Sequence, residues 1–202
     1  HTIDMSNNNI RSIKGKTFHN VKSVRILTLD NNEIEIDDEN YHPRIFSNFE
    51  NLEELNLRNA FGNQEKSKEF MKVLTRIFTE SALTNLKSLN LESNEIHVFS
   101  TPIMFCFLPK LQKLYLGHNL LTNFHLNLTC LKDLNLVDLT DNLITTLHNE
   151  SLRYLESGPR YYHLNITRNP FRCDCKMRDL LTFIKTVIEV RITTPESLYC
   201  ST

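Results

Sequence analysis

Apolar residues in this chain recur in one short pattern, apolar-x-apolar-x-x-Asn-x-apolar. It appears as IDMSNNNI (3–10), LTLDNNEI (27–34), LNLESNEI (89–96), LYLGHNLL (114–121), VDLTDNLI (137–144) and LNITRNPF (164–171), while LNLRNAFG (55–62) has Ala60 in the Asn place. Alternation over three residues marks a short strand that sends two apolar side chains to one face and the residue between them to the other. A second framework precedes the Asn position by fourteen and eleven residues: Phe18 and Val21, Phe46 and Phe49, Phe105 and Leu108, Leu128 and Leu131. Landmarks at two fixed distances set the register of whole coils.

The Asn-equivalent positions are 24, 28, 34, 25, 23 and 27 residues apart, within or just beyond the leucine-rich repeat range. The spacing predicts an α/β solenoid, a leucine-rich repeat horseshoe over residues 1–168 whose short strands stack into a parallel concave sheet. Each Asn sits where the chain leaves its strand. Its amide can donate and accept at once, so these residues predict a buried scaffold ladder and carry no ligand role. The longest interval holds an insertion, NQEKSKEFMKVLTRIFTESAL (63–83), in which Phe70, Val73, Leu74, Ile77 and Phe78 fall at helical spacing. Its cations Lys66, Lys68, Lys72 and Arg76 are offset by Glu65, Glu69 and Glu80, which favours a core-packing convex helix over a basic membrane-binding one. EIDDENYHPRIF (35–46), with its acidic run and Pro43, predicts an extended convex loop.

A solenoid's last coil needs a cap over its apolar edge. Residues 169–202 are predicted to supply it: NPFRCDC is followed by KMRDLLTFIKTVIEV, where Met177, Leu180, Leu181, Ile184, Val187 and Ile188 form one apolar helical face. Cys173 and Cys175 are too close to bridge each other without strain, so each needs a distant partner. Cys200, 25 positions past Cys175, is expected to be one. Cys106 and Cys130 lie 24 apart at matching places on consecutive coils, which predicts a bridge between them. One cap cysteine, taken as Cys175, is then left with a partner expected beyond Thr202, as if the chain stopped within its cap. Cys-x-Cys without a close Cys or His pair falls short of a zinc site.

Charge and composition narrow the function. Lys and Arg total 23 against 24 Asp and Glu, so there is no electrostatic footprint for nucleic acid or an anionic membrane, and a protein or glycan partner is easier to defend. No apolar run approaches the roughly 18 residues of a spanning helix, so any membrane anchor is expected outside this chain. The eight His residues form no His-x-x-x-His or His-Glu-x-x-His pattern, Gly-x-Ser-x-Gly is absent and only four Gly occur. An enzyme, a metal or a cofactor is therefore not expected.

NPFRCDC with its following DL, closing a run of LxLxxN coils, resembles the extracellular leucine-rich repeat proteins with a cysteine-rich C-terminal cap. More narrowly, the insertion after LEELNLRNAFGN, NLT at 127–129, LHNES at 147–151 and NPFRCDCKMRDLLTFIKTVIEV resemble the trophoblast glycoprotein (Wnt-activated inhibitory factor) family over essentially the whole chain. Asn165, Cys106 and Cys130 depart from that family's pattern, and its N-terminal cysteine cap, transmembrane helix and short tail are not in this sequence. The resemblance implies a single-pass type I plasma-membrane glycoprotein, facing outward, that inhibits Wnt/β-catenin signalling at a co-receptor of the low-density-lipoprotein-receptor-related type. A repeat ectodomain for adhesion or innate recognition is the alternative.

Sequons at Asn127, Asn149 and Asn165 predict N-linked glycans in an oxidising compartment. Asn127 and Asn149 fall outside the strands. Asn165 points out of the concave sheet, where a glycan would push a partner toward the N-terminal coils, a lateral edge or the convex side. Among the concave positions, Tyr115 is the aromatic anchor candidate, with Lys113 and Arg58 as flanking charges and Asp138 beside them.

Overall fold

The computed structural model describes residues 1–14, 17–36, 42–62, 67–159, 161–172, 174, 177–186 and 190–192. Eight short strands, β1 (Thr2–Asp4), β2 (Ile26–Thr28), β3 (Glu54–Asn56), β4 (Ser88–Asn90), β5 (Lys113–Tyr115), β6 (Leu136–Asp138), β7 (Tyr162–Asn165) and β8 (Val190–Ile192), pair in chain order into one parallel sheet. Leu27, Leu55, Leu89, Leu114, Val137 and Leu164 lie opposite one another across successive strands, and every one is 0% exposed. That row is the spine of the core. The second apolar residue of each repeat, from Leu29 to Ile166, extends it.

The Asn ladder stands at the end of this spine. Asn119 shows its logic: Oδ1 accepts from the backbone N–H of Asn94 (2.9 Å) and Ile96 (3.1 Å), while Nδ2 donates to the carbonyls of Leu91 and Leu116 (both 3.0 Å). Asn32, Asn94, Asn142 and Asn169 each tie their coil to the one before it in the same way. Two members of the pattern differ. Asn8 is exposed, contrary to a ladder buried throughout, because β1 is the outermost described strand and no described strand pairs with its outer side. Ala60 has no amide to offer, and the Ile34 N–H that would need one donates to the Ala60 carbonyl instead (2.9 Å).

The residue just before each ladder position turns left-handed: Asn7, Asn31, Asn59, Ser93, His118, Asp141 and Arg168 have φ between 46° and 56°. For a residue with a Cβ this region is disfavoured by roughly 1–2 kcal/mol, least for Asn and Asp. The first three coils use Asn, and its side chains link them, Asn31 Nδ2 to Asn7 Oδ1 and Asn59 Nδ2 to Asn31 Oδ1 (both 3.0 Å). Further along, Asp141 accepts His118 at 3.2 Å and Arg168 at 2.6 Å. A second, outer ladder thus follows the turns.

The convex side is built from the aromatic framework. Phe18 packs edge-on against Phe49 (4.8 Å between ring centroids), with Phe46 beside both. Helix α1 (Ser67–Ser81) lies within the predicted insertion and buries Phe70, Met71, Val73, Leu74, Ile77 and Phe78. It is seated by Phe61 against Phe70 and by Ser81, whose hydroxyl bonds the backbone at Pro43 and Phe46. The next coil carries a 3₁₀ turn, Met104–Phe107, packed against α1. Cys106 and Cys130 are joined by a disulfide, with Cα atoms 5.4 Å apart. Of the predicted convex loop at 35–46, residues 37–41 lie outside the described residues, and Ile36, Ile45 and Phe46 are buried.

Two further helices complete the C-terminal end. Helix α2 (Asn149–Glu156) was not evident from periodicity, and it buries Ser151, Leu152 and Leu155. Tyr162, 1% exposed, hooks onto its last turn by donating its hydroxyl to the Leu155 carbonyl (2.9 Å), with Gly158 so close that a Cβ there would meet the Tyr162 ring at 3.1 Å. Helix α3 (Met177–Thr186) lies beside α2. Its buried residues are Leu180 and Phe183, with Met177 and Ile184 partly covered, whereas Leu181 is 49% exposed. The predicted face is therefore corrected: at about 100° per residue the stripe centres on Leu180, which brings Phe183 in and leaves Leu181 about 100° away. Val187 and Ile188 lie outside the described residues, as do Cys173, Cys175 and Cys200 and hence the cap disulfide.

Candidate protein-binding face

The concave sheet surface is positioned by the strand register. Tyr115 and Asp138 are direct partners on β5 and β6, and Lys113 lies on the same side of β5 two residues earlier. Arg58 follows β3 and is separated from this group by β4. The structure thus brings Tyr115, Lys113 and Asp138 together and sets Arg58 apart. Tyr115 and Asp138 are half-buried, whereas Lys113 and Arg58 are exposed.

Charges on the flanks and charges on the concave face are treated differently. Flank residues pair between coils: Arg11 with Glu33 (3.0 Å), Lys22 with Glu50 (2.6 Å), and Glu53 with both Arg25 and Lys87 (3.5 and 2.9 Å). The concave carboxylates Asp4, Asp30, Glu92 and Asp138 form no ion pair with any described residue. They accept neutral donors instead: Ser6 N–H on Asp4 (2.9 Å), Arg58 N–H on Asp30 (2.8 Å), Asn90 Nδ2 on Glu92 (3.1 Å) and Thr140 N–H on Asp138 (2.8 Å). Burial pushes the Asp30 carboxyl up from its ordinary value and the negative charges of Asp4 and Glu92 add to this, against the opposing pull of the Arg58 amide and guanidinium. Among the described residues, Asp4, Glu92 and Asp138 on this face have no cation within ion-pair distance, while Asp30 feels the Arg58 guanidinium.

Sequence reasoning missed Asp30 and Gly117 in this surface. The sign was available for Gly117. In the position after the second apolar residue the other coils carry Ser6, Asp30, Arg58, Glu92, Thr140 and Thr167, and only LYLGHNLL leaves that place without a side chain.

The three sequons differ in their surroundings. At Asn127, Oδ1 accepts from the Thr129 hydroxyl (2.6 Å) and amide (3.0 Å). Asn149 is exposed on the first residue of α2, though Ser151 of its sequon is buried. Asn165 is half-buried, and its Nδ2 lies 3.4 Å from Asp138 Oδ2. Among the described residues no group of three or more His, Cys, Asp or Glu could hold a metal ion, and no helix is long and apolar enough to cross a membrane.

The leucine rich repeat family pattern matches residues 1–60 and 74–121, more than half of the chain. The chain belongs to the leucine-rich repeat family. As a leucine-rich repeat protein it is a binding module and not an enzyme. Trophoblast glycoprotein of Macaca fascicularis is 28% identical over 195 residues, which cover 91% of this chain and 45% of that protein. The chain thus spans less than half the length of this relative. The crystal structure of human 5T4 (Wnt-activated inhibitory factor 1, trophoblast glycoprotein) matches over 100% of this chain and 71% of the solved one, with a TM-score of 0.82 and 24% identity. Both comparisons are with the family that the insertion and the cap motif resemble.

Proposed function

We propose that this chain is the recognition part of a cell-surface glycoprotein that restrains Wnt/β-catenin signalling by binding a membrane protein, a co-receptor of the low-density-lipoprotein-receptor-related type. The observation that carries the reading is the likeness to trophoblast glycoprotein along 91% of the chain. Two features of the molecule support its setting. The Cys106–Cys130 bridge suits an extracellular, oxidising compartment. The concave face offers uncompensated charge beside the half-buried ring of Tyr115, a combination suited to a protein surface. Glycans at Asn127 and Asn149 fit the same setting.

The test is a Wnt-responsive transcription reporter in cells that display the chain on a membrane anchor, with an unrelated anchored repeat ectodomain as control. Selective suppression at matched surface expression is the expected result. Equal reporter activity with both proteins would refute the Wnt reading and favour an adhesion or innate-recognition partner.

A further inference from the structure

We infer that the N-linked glycan of Asn149 folds back along the groove between α2 and α3, which holds its innermost N-acetylglucosamine residues. The inference rests on the glycosylated, outward-facing setting proposed above and adds where one glycan lies.

The groove has a volume of about 280 Å³, and Asn149, the acceptor of the Asn-Glu-Ser sequon, is one of the residues that line it. Leu152, Arg153 and Glu156 line it from the same helix. They stand three, four and seven positions after Asn149, the spacing that sets side chains in one row along a helix face. At about 1.5 Å per residue the row runs roughly 10 Å from Asn149 to the last residue of α2. A glycan on Asn149 therefore starts at one end of a groove that continues beside it.

The opposite wall comes from α3, which supplies Arg178, Asp179 and Phe183. Leu152 and Phe183 are 6% and 3% exposed and form an apolar floor. Arg153, Glu156, Arg178 and Asp179 are exposed on the rim, and none of them forms an ion pair with a described residue. Two cations and two carboxylates sum to no net charge. This rim suits a neutral occupant rich in hydroxyl and amide groups better than an anion or a metal ion.

An N-acetylglucosamine residue is such an occupant. Its hydroxyls and acetamide N–H can donate to Glu156 and Asp179, its acetamide carbonyl can accept from Arg153 or Arg178, and its C–H faces can cover Leu152 and Phe183. The covalent tether at the end of the groove keeps the sugar at high effective concentration, so contacts too weak to hold a free saccharide suffice here. A glycan held in this way closes the groove to a protein partner.

The test is deglycosylation of the folded protein. The chain is secreted from mammalian cells held at the high-mannose stage, and an endoglycosidase that cuts between the two innermost sugars is applied to the folded and to the denatured protein. Release at each sequon is followed by peptide mass spectrometry. Asn127 lies outside this groove and is the internal control. The enzyme reaches only the undocked glycan, so cleavage at Asn149 should be about tenfold slower than at Asn127 in the folded protein, and equal after denaturation. Removing one rim residue from each helix, Glu156→Ala with Arg178→Ala, should abolish the difference, with an unchanged urea midpoint showing that the fold persists. Arg153→Ala with Asp179→Ala should do the same, so that the result does not hang on one pair. Equal cleavage at both sites of the folded protein, or slow cleavage at Asn149 that neither pair relieves, would overturn the inference. An Asn149 that carries no glycan would overturn it as well and count against the proposed setting, whereas an occupied but freely cleaved Asn149 leaves that setting intact. The Wnt reading stands or falls separately, on the reporter assay.

Discussion

Replacing Asn119 by Ala tests whether the buried amides hold the coils together. The substitution removes the acceptor for two buried N–H groups, those of Asn94 and Ile96, and the donor to the Leu91 carbonyl. Leu116 and Gly117 carbonyls also lose Asn119, but each keeps another donor, Asn142 Nδ2 and the Ser93 N–H respectively. Three groups are therefore stranded. At about 1–3 kcal/mol for each buried unsatisfied group the upper range is large, but a water entering the vacated space recovers part of it, and we expect a loss of about 3–5 kcal/mol. Asn8→Ala is the control, since Asn8 is exposed and among the described residues bonds only to the carbonyls of its own turn, Met5 and Ser6. It should cost less than about 1 kcal/mol. Urea unfolding of both variants with the Cys106–Cys130 bridge intact measures the difference through the transition midpoint at constant slope. An N119A midpoint within about 0.5 kcal/mol of N8A would refute the ladder argument.

Two other perturbations bear on the turns and on the C-terminal coil. Ser93 adopts φ 56° with no side-chain hydrogen bond to a described residue, so Ser93→Asn should stabilise by about 0.5–1 kcal/mol by matching the residue to the left-handed region, read as a raised urea midpoint; an unchanged or lowered midpoint would argue against strain at this turn. Burial raises the Tyr162 hydroxyl well above its ordinary value of 10.0. The unfolded chain then ionises first, so stability holds below pH 10 and falls above it, by up to about 1.4 kcal/mol per pH unit from this group. Tyr162→Phe should remove that alkaline loss while costing about 1 kcal/mol at neutral pH, and identical pH profiles for the two proteins would contradict it.

Much of this architecture is legible in the sequence because it is enforced every coil. The Leu27 to Leu164 row and the Asn ladder follow from one spacing repeated, and the insertion shows as a helix because Phe70, Val73, Leu74, Ile77 and Phe78 interrupt strand alternation with a longer period. The left-handed turns are less legible. Asn7, Asn31, Asn59, His118 and Asp141 are residue types enriched in that conformation, but Ser93 and Arg168 are not, and there the coil geometry overrides local preference. Helix α2 is hidden by its eight residues, too few for a clear period. On α3, Leu181 and Phe183 exchange roles because two adjacent apolar residues satisfy helical spacing equally until the stripe's centre is known. At the concave face, strand register brings Lys113, Tyr115 and Asp138 together and leaves Arg58 across β4, an order that a list of outward-facing residues does not reveal.

The disulfide has a mechanical consequence. Pulled from its two ends, a solenoid unwinds coil by coil, and each coil released adds its full contour to the stretched chain. The bond between Cys106 and Cys130 takes the 24-residue interval out of that length and fixes its ends at a Cα separation of 5.4 Å. At roughly 3.3–3.6 Å per extended residue, reduction would lengthen the fully drawn chain by roughly 75–80 Å. Tension applied at the two ends would therefore pass through this bridge and bypass the residues it encloses, so that β5 and the Asn127 sequon would be the last part of the molecule to feel the load.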